Sequence, residues 1–228
     1  MELIKQIVNL IFGPDPELRQ IILVTLRMSL FSTLISSILG IPFGVVLGAN
    51  NFRAKAVISR VVNTLLGLPP VVGGLIVLML LSRSGPLGSL RLLYTVNAMV
   101  IAQVILITPF VIAMTANVVG VSSQSINETL AGVGIGGWRR IKYYLLDFRI
   151  PFISIVLAAF GRSIAEVGAV QMVGGNVQYK TRVMTTAIMM QTNMGRFEFA
   201  ITLGILLLLI SFLVNSLVNR IQKATEHD

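Results

Sequence analysis

Long apolar stretches are the feature of this sequence that most restricts its fold. Each approaches or exceeds the roughly 20 residues that an α-helix needs to cross a bilayer. They cover residues 21–47, 57–81, 96–119, 153–173 and 199–218. The chain is 55% hydrophobic and only 12% charged, whereas a soluble protein carries about a quarter charged residues. The sequence therefore predicts an all-α polytopic membrane protein of about five transmembrane helices in a single domain, residues 1–228.

Proline and glycine interrupt several of the apolar runs. Pro42 lies near the end of the first run, Pro69 and Pro70 interrupt the second, and Pro109 lies in the third. Membrane helices tolerate such residues when neighbouring groups satisfy the backbone. The sequence of residues 1–12 predicts an amphipathic helix, which is too short to span a bilayer.

Several classes of function are excluded by composition. The chain has no cysteine and one histidine, His227, so we expect no metal centre and no cofactor. The net charge of +9 is scattered among the loops, which argues against a nucleic-acid partner and for membrane orientation. Within the middle of the spans only Arg162 and Glu166 are ionisable, so the groups that an enzyme needs are missing. We expect no catalytic residues.

A polar loop at about 120–151 separates the third and fourth runs. It carries an acidic residue and small residues at helical steps, then an aromatic residue, basic residues and a proline: Glu128, Ala131, Gly134, Trp138, Arg139, Arg140 and Pro151. Because Glu128, Ala131 and Gly134 fall at successive one-turn steps, we expect a short helix. Gly134 would permit close approach of a partner or end the turn. The simpler alternative is an ordinary loop with an interfacial helix.

A second group of candidate residues lies in and after the fourth run. Arg162 and Glu166 are four residues apart, which places them on one face of a helix. Charges at membrane depth are costly and face the bundle interior or a wet cavity. The pair is either a structural ion pair or part of a solute path, in which Glu166 would limit how tightly Arg162 holds an anion. Gly168 and Asn176 follow in the same segment as further candidates for the path.

The 120–151 loop resembles the coupling loop of ABC importer permeases, whose short helix sits in a groove of a separate ATP-hydrolysing subunit. The segment 162–176 is similar to permeases for tungstate, molybdate and sulfate, and most similar to the tungstate branch. Segments 25–29, 182–188 and 195–198 share this resemblance. It implies a type I importer permease that carries a tetrahedral oxyanion, with tungstate ahead of molybdate and sulfate. A secondary carrier that uses Glu166 is the alternative from another class.

The same resemblance implies partners and an orientation in the cell membrane. Two copies of the chain would pair within the membrane lipid, bind two ATP-binding subunits through the 120–151 loop, and receive the anion from an external binding protein. If this loop is cytoplasmic, the N-terminus is outside and the C-terminus inside. The cytoplasmic side then carries nine Lys and Arg residues against seven outside, which is a weak bias. Arg182 and Arg196 would attract anions to the outer mouth.

Overall fold

The computed structural model describes residues 13, 15–135 and 138–225. The predicted amphipathic helix at 1–12 lies outside these residues. The described residues form α-helices and one short 3-10 turn, and none of them belongs to a β-strand. The all-α prediction is confirmed.

Nine α-helices follow one another in this part of the chain. They are α1 (Pro16–Ala49), α2 (Lys55–Leu66), α3 (Pro70–Leu81), α4 (Val96–Gly132), α5 (Trp138–Asp147), α6 (Arg149–Ile164), α7 (Gly168–Gly174), α8 (Met184–Asn193) and α9 (Phe197–Thr225). The 3-10 turn is Gly88–Leu90, between α3 and α4.

By length and composition, α1, α4 and α9 can each cross a membrane alone. Two further candidates are bent pairs: α2 and α3 meet at 99°, and α5 and α6 at 74°. The described residues thus hold three spans, or up to five if each bent pair counts as one. The exact count of five stays a prediction.

Breaks in two of the apolar runs have different causes. The second run breaks before Pro70, as its prolines predict, because the residue before a proline is disfavoured in the α conformation; Pro69 has φ −59° and ψ 128°. The fourth run was expected to be continuous, and this is wrong. α6 ends at Ile164 and α7 begins at Gly168, so residues 165–167 interrupt the helix.

Close packing of α1 against α4 forms the centre of the fold. Three glycines of α1 at four-residue spacing face α4: Gly40, Gly44 and Gly48. A Cβ atom on Gly44 would lie 2.5 Å from the Cβ of Thr115, and one on Gly48 would lie 2.7 Å from the carbonyl oxygen of Ala116. Small residues let membrane helices approach in this way. The two helices therefore pack backbone to backbone at this end of α1.

The outer face of α9 is strongly apolar and exposed. Leu208, Phe212 and Leu213 are 71%, 67% and 66% exposed. Apolar surface of this extent is not stable in water, and hydrocarbon solvates it at no cost. α9 is accordingly a helix at the periphery of the fold, where it packs inward on α6 and α8.

Candidate functional site

A buried polar cluster joins three helices in the interior. The Oε1 atom of Gln103 on α4 accepts hydrogen bonds from the hydroxyls of Ser32 on α1 and Ser163 on α6, each at 2.6 Å. Its Nε2 atom donates to the carbonyl of Ser163 at 2.8 Å. All three residues are 0% exposed. Interhelical hydrogen bonds of this kind hold membrane helices together, so this Ser32–Gln103–Ser163 cluster fixes α1, α4 and α6 at one level.

The interruption at 165–167 begins directly beyond this cluster. Glu166 lies after the end of α6, so the prediction that Arg162 and Glu166 share one helical face is wrong. These two described residues also form no ion pair. The Arg162 guanidinium lies 5.5 Å from the centre of the Phe110 ring, in the range of a cation–π contact. Glu166 Oε1 accepts a long hydrogen bond of 3.4 Å from the amide of Ala169.

The first turn of α8 connects the interruption to the loop after α7. The Thr185 hydroxyl donates to the carbonyl of Glu166 at 2.9 Å. The hydroxyl of the next residue, Thr186, donates to Asn176 Oδ1 at 3.0 Å. Irregular backbone within a membrane is tolerated only where neighbouring groups satisfy its hydrogen-bonding N–H and C=O groups. Two adjacent threonines therefore hold Glu166 and Asn176 at the same end of α8.

The same end of α8 is tied to the N-terminal half of α1. The Met184 amide donates to the hydroxyl of Thr25 at 2.9 Å. Arg182 forms an ion pair with Glu17, near the start of α1. Because this partner compensates its charge, Arg182 is a structural tie, and the prediction that it attracts anions is not supported. Arg196 remains exposed in the turn before α9.

Gly168 has a packing role in this arrangement. A Cβ atom at this position would lie 2.8 Å from Val71 Cγ2 on α3, so only glycine lets α7 approach α3 this closely. Asn176 has φ 51°, a left-handed conformation that asparagine tolerates better than most residues. Its role in a solute path, like that of Arg162, Glu166 and Gly168, stays a prediction.

The predicted coupling segment is largely helical. α4 continues beyond the predicted end of its span to Gly132, and Glu128 lies exposed on this extension. Gly134 has φ 75°, and the Ile135 amide donates to the carbonyl of Leu130 at 2.8 Å. This is a glycine-terminated helix end. Of the two roles expected for Gly134, close approach of a partner and ending the turn, the structure shows the second. Gly134 lies just beyond the last turn of α4 and not within the helix.

The remaining predicted coupling residues are divided between two helices. Arg139 is exposed on α5. Pro151 lies in the first turn of α6, where a proline is tolerated because its missing N–H would have no helical partner. The side chains of Ala131 and Trp138 lie outside what the structure describes.

A second polar contact, which is partly buried, ties the coupling segment to α1. The Tyr144 hydroxyl on α5 donates to Asn127 Oδ1 on the α4 extension at 3.1 Å. Asn127 Nδ2 donates to the carbonyl of Ala49, the last residue of α1, at 2.7 Å. Burial raises the pKa of Tyr144, and the positive charge of Arg140 opposes this in part. The phenol therefore stays protonated and remains a hydrogen-bond donor.

Comparison with known proteins assigns the chain to a family. Residues 40–227 match the binding-protein-dependent transport system inner membrane component family. The chain belongs to this family. It is 37% identical over 215 residues to the tungstate uptake system permease protein TupB of Peptoclostridium acidaminophilum, covering 94% of each chain. TupB of Campylobacter jejuni is 35% identical over 219 residues, with 96% of this chain and 92% of that protein covered.

More distant relatives are named for molybdenum or sulfate transport. The molybdenum transport system permease protein ModB of Azotobacter vinelandii is 28% identical over 184 residues, covering 77% of this chain and 80% of that protein. All three relatives are described as permease proteins, that is, as transport components.

The sequence did not predict two sets of interior contacts, the Ser32–Gln103–Ser163 cluster and the contact between Asn127 and Tyr144. Gln103 was readable as the only glutamine in the apolar 96–119 run, further from its ends than Asn97 and Asn117, since a polar side chain there needs a partner. The partners themselves, Ser32 and Ser163, were not readable from spacing. Asn127 and Tyr144 gave no clear signal, because polar residues are common in a loop of this kind.

Gly134 offers a test of the coupling segment. Gly134→Trp should leave the permease inserted in the membrane but strongly reduce transport, because a bulky group would stand on the surface at the end of α4. The measurement is ATP hydrolysis and tungstate uptake by the assembled complex in vesicles. Gly134→Asn is the matched control, since asparagine adopts positive φ at little cost and is small. Equal transport by both variants and wild type would remove Gly134 from the interface.

Proposed function

We propose that this chain is the membrane-spanning permease subunit of an ATP-driven importer whose cargo is tungstate. The observation that carries the proposal is similarity to two tungstate permeases, at 37% and 35% identity over nearly the whole chain. The molybdenum permease is only 28% identical. Molybdate and sulfate resemble tungstate in shape and charge, and they are the competing cargoes.

ATP hydrolysis belongs to separate subunits in this proposal. Two copies of the permease pair, two ATP-binding subunits dock on their cytoplasmic faces, and an external binding protein delivers the anion. The exposed end of α4 and the exposed side of α5 support docking at this place, since Glu128 and Arg139 both face outward. With this segment in the cytoplasm, the N-terminus lies outside and the C-terminus inside. Lipid, or the second copy, covers the apolar face of α9.

The transport cycle is a switch between two packed states of the helices. Closure of the ATP-binding subunits moves the 120–151 segment and favours the outward-open state; release favours the inward-open state. The anion passes beside the interruption at 165–167. Arg162, which is exposed in the single chain, attracts the anion there. Glu166 keeps that attraction weak enough for release.

The cargo is tested in cells that lack this chain. Tungsten, molybdenum and sulfur uptake are measured with each anion supplied at trace level, and a plasmid copy of the gene is the control. We expect tungsten content to fall strongly and to recover with the plasmid. Unchanged tungsten content together with lost sulfate or molybdate uptake would reassign the cargo.

A further inference from the structure

We propose that Asn127 and Tyr144 are positioning residues that fasten the coupling segment to α1. Together with the Ala49 carbonyl they form a joint, the Ala49–Asn127–Tyr144 joint, through which movement of α5 turns α1. The proposal rests on the proposed function, because it concerns how ATP-driven movement reaches the solute path.

The hydrogen bonds of the joint run through one side-chain amide. Asn127 Nδ2 donates to Ala49 at 2.7 Å, and Asn127 Oδ1 accepts from the Tyr144 hydroxyl at 3.1 Å. The same hydroxyl lies 3.3 Å from the carbonyl of Ser123. The carbonyl of Ala49 at the end of α1 has no partner within its own helix. One amide therefore bridges the end of α1 and the middle of α5.

Tyr144 also packs in one buried cluster with Val45 and Ala49 of α1. Tyr144 is 1% exposed. Its ring stacks on Phe148, with centroids 5.8 Å apart, and Phe148 stacks on Phe152 at 6.0 Å. This row of rings passes from α5 into α6 across their 74° bend. Because close-packed interiors transmit displacement, α5 cannot move without carrying the end of α1 and the start of α6.

From the joint, a rigid connection leads to the interior. α1 and α4 pack backbone to backbone at Gly44 and Gly48, so the two helices move as one body. Further along α1, Ser32 belongs to the buried cluster with Gln103 and Ser163. That cluster adjoins the interruption at 165–167. Movement at the joint thus reaches the segment that holds Glu166.

The first test measures coupling. Tyr144→Phe removes one hydroxyl and keeps the ring stack. The matched control is Tyr143→Phe, at the neighbouring tyrosine, which is 46% exposed. Complexes with the ATP-binding subunits and the binding protein are reconstituted in vesicles, and tungstate taken up per ATP hydrolysed is measured. We expect Tyr144→Phe to assemble and hydrolyse ATP normally but to lower this ratio about fivefold, the scale of one hydrogen bond, with Tyr143→Phe unchanged.

Asn127→Ala should lower the ratio to the same extent, and combining it with Tyr144→Phe should add little, because both variants break one connection. A normal ratio in Tyr144→Phe would overturn the proposal. A parallel loss of assembly, ATP hydrolysis and uptake would also overturn it, since the hydroxyl would then only stabilise the fold. If the wild-type complex carries no tungstate, the proposed function fails by itself.

A second test is independent of the cargo. The chain has no cysteine, so spin labels can be placed on cysteines introduced at the exposed positions Asn51, beyond α1, and Lys142, on α5. In the complex, the distance between the labels should be the same without nucleotide and with ATP. In the Tyr144→Phe background the distance should differ between the two states. If the distance between the two labels in the wild-type background changes with ATP, the proposed joint is contradicted, whatever the complex transports.

Discussion

Gly44→Ala is expected to reduce the amount of permease in the membrane and to lower its melting temperature. The added Cβ would lie 2.5 Å from the Cβ of Thr115 and 2.8 Å from the carbonyl oxygen of Ile112. The second of these atoms is backbone, so α4 itself must shift. Overpacking of this kind costs about 1–3 kcal/mol, which corresponds to a fall of roughly 2–12 °C in the melting temperature of a chain this size. The measurements are the amount of inserted permease and its thermal unfolding in detergent.

Gly204→Ala is the matched control for Gly44→Ala. Gly204 also lies inside an apolar helix, α9, but nothing lies within 4 Å of a Cβ built there. We expect this variant to accumulate and unfold like wild type. If both alanine variants behave alike, the close approach of α1 and α4 does not stabilise the permease.

Arg162→Ala and Glu166→Gln are each expected to reduce tungstate uptake at least about tenfold while the permease still assembles. The first variant removes the charge that attracts the anion, and the second removes the charge that keeps the anion's binding weak enough for release. The structure gives the reason for normal assembly. The two residues form no ion pair, so removing one side chain does not deprive the other of a charged partner. Arg162→Lys is the control that keeps the charge. Uptake by reconstituted vesicles and the amount of purified complex are the measurements.

The double variant Arg162→Ala/Glu166→Gln distinguishes a structural ion pair from a role of these residues in the solute path. Breaking a true buried ion pair costs about 3–5 kcal/mol, and removing both partners restores much of it. We therefore expect Arg162→Ala/Glu166→Gln to assemble normally and to stay inactive. Poor assembly of each single variant with recovery in the double variant would contradict the structure and establish a structural pair.

The sequence predicted those features that local composition determines. The 96–119 run does begin a helix at residue 96, and the prolines at 69 and 70 do mark the bend between α2 and α3. The glycines at four-residue spacing in α1, Gly40, Gly44 and Gly48, are a local signal of the same kind, since small residues at this spacing are typical of a close helix contact. Each of these signals lies within one short stretch of chain.

Features that depend on distant residues were not predictable. The run containing Arg162 and Glu166 has the spacing of a continuous helix. It breaks where Thr185, nineteen positions further along the chain, satisfies the Glu166 carbonyl. The partners of Gln103 lie 71 and 60 positions away in the chain. Such contacts follow from how the helices are arranged, and periodicity within one helix carries no information about that arrangement.

The most direct test of the central claim uses vesicles that contain the complete complex: permease, ATP-binding subunits and binding protein. Tungstate accumulation is measured with ATP, without ATP, and with an imposed proton gradient in place of ATP. We expect accumulation only with ATP, with molybdate a weaker competitor than unlabelled tungstate and sulfate weaker still. Accumulation driven by the proton gradient alone, or by ATP for sulfate but not tungstate, would contradict the central claim.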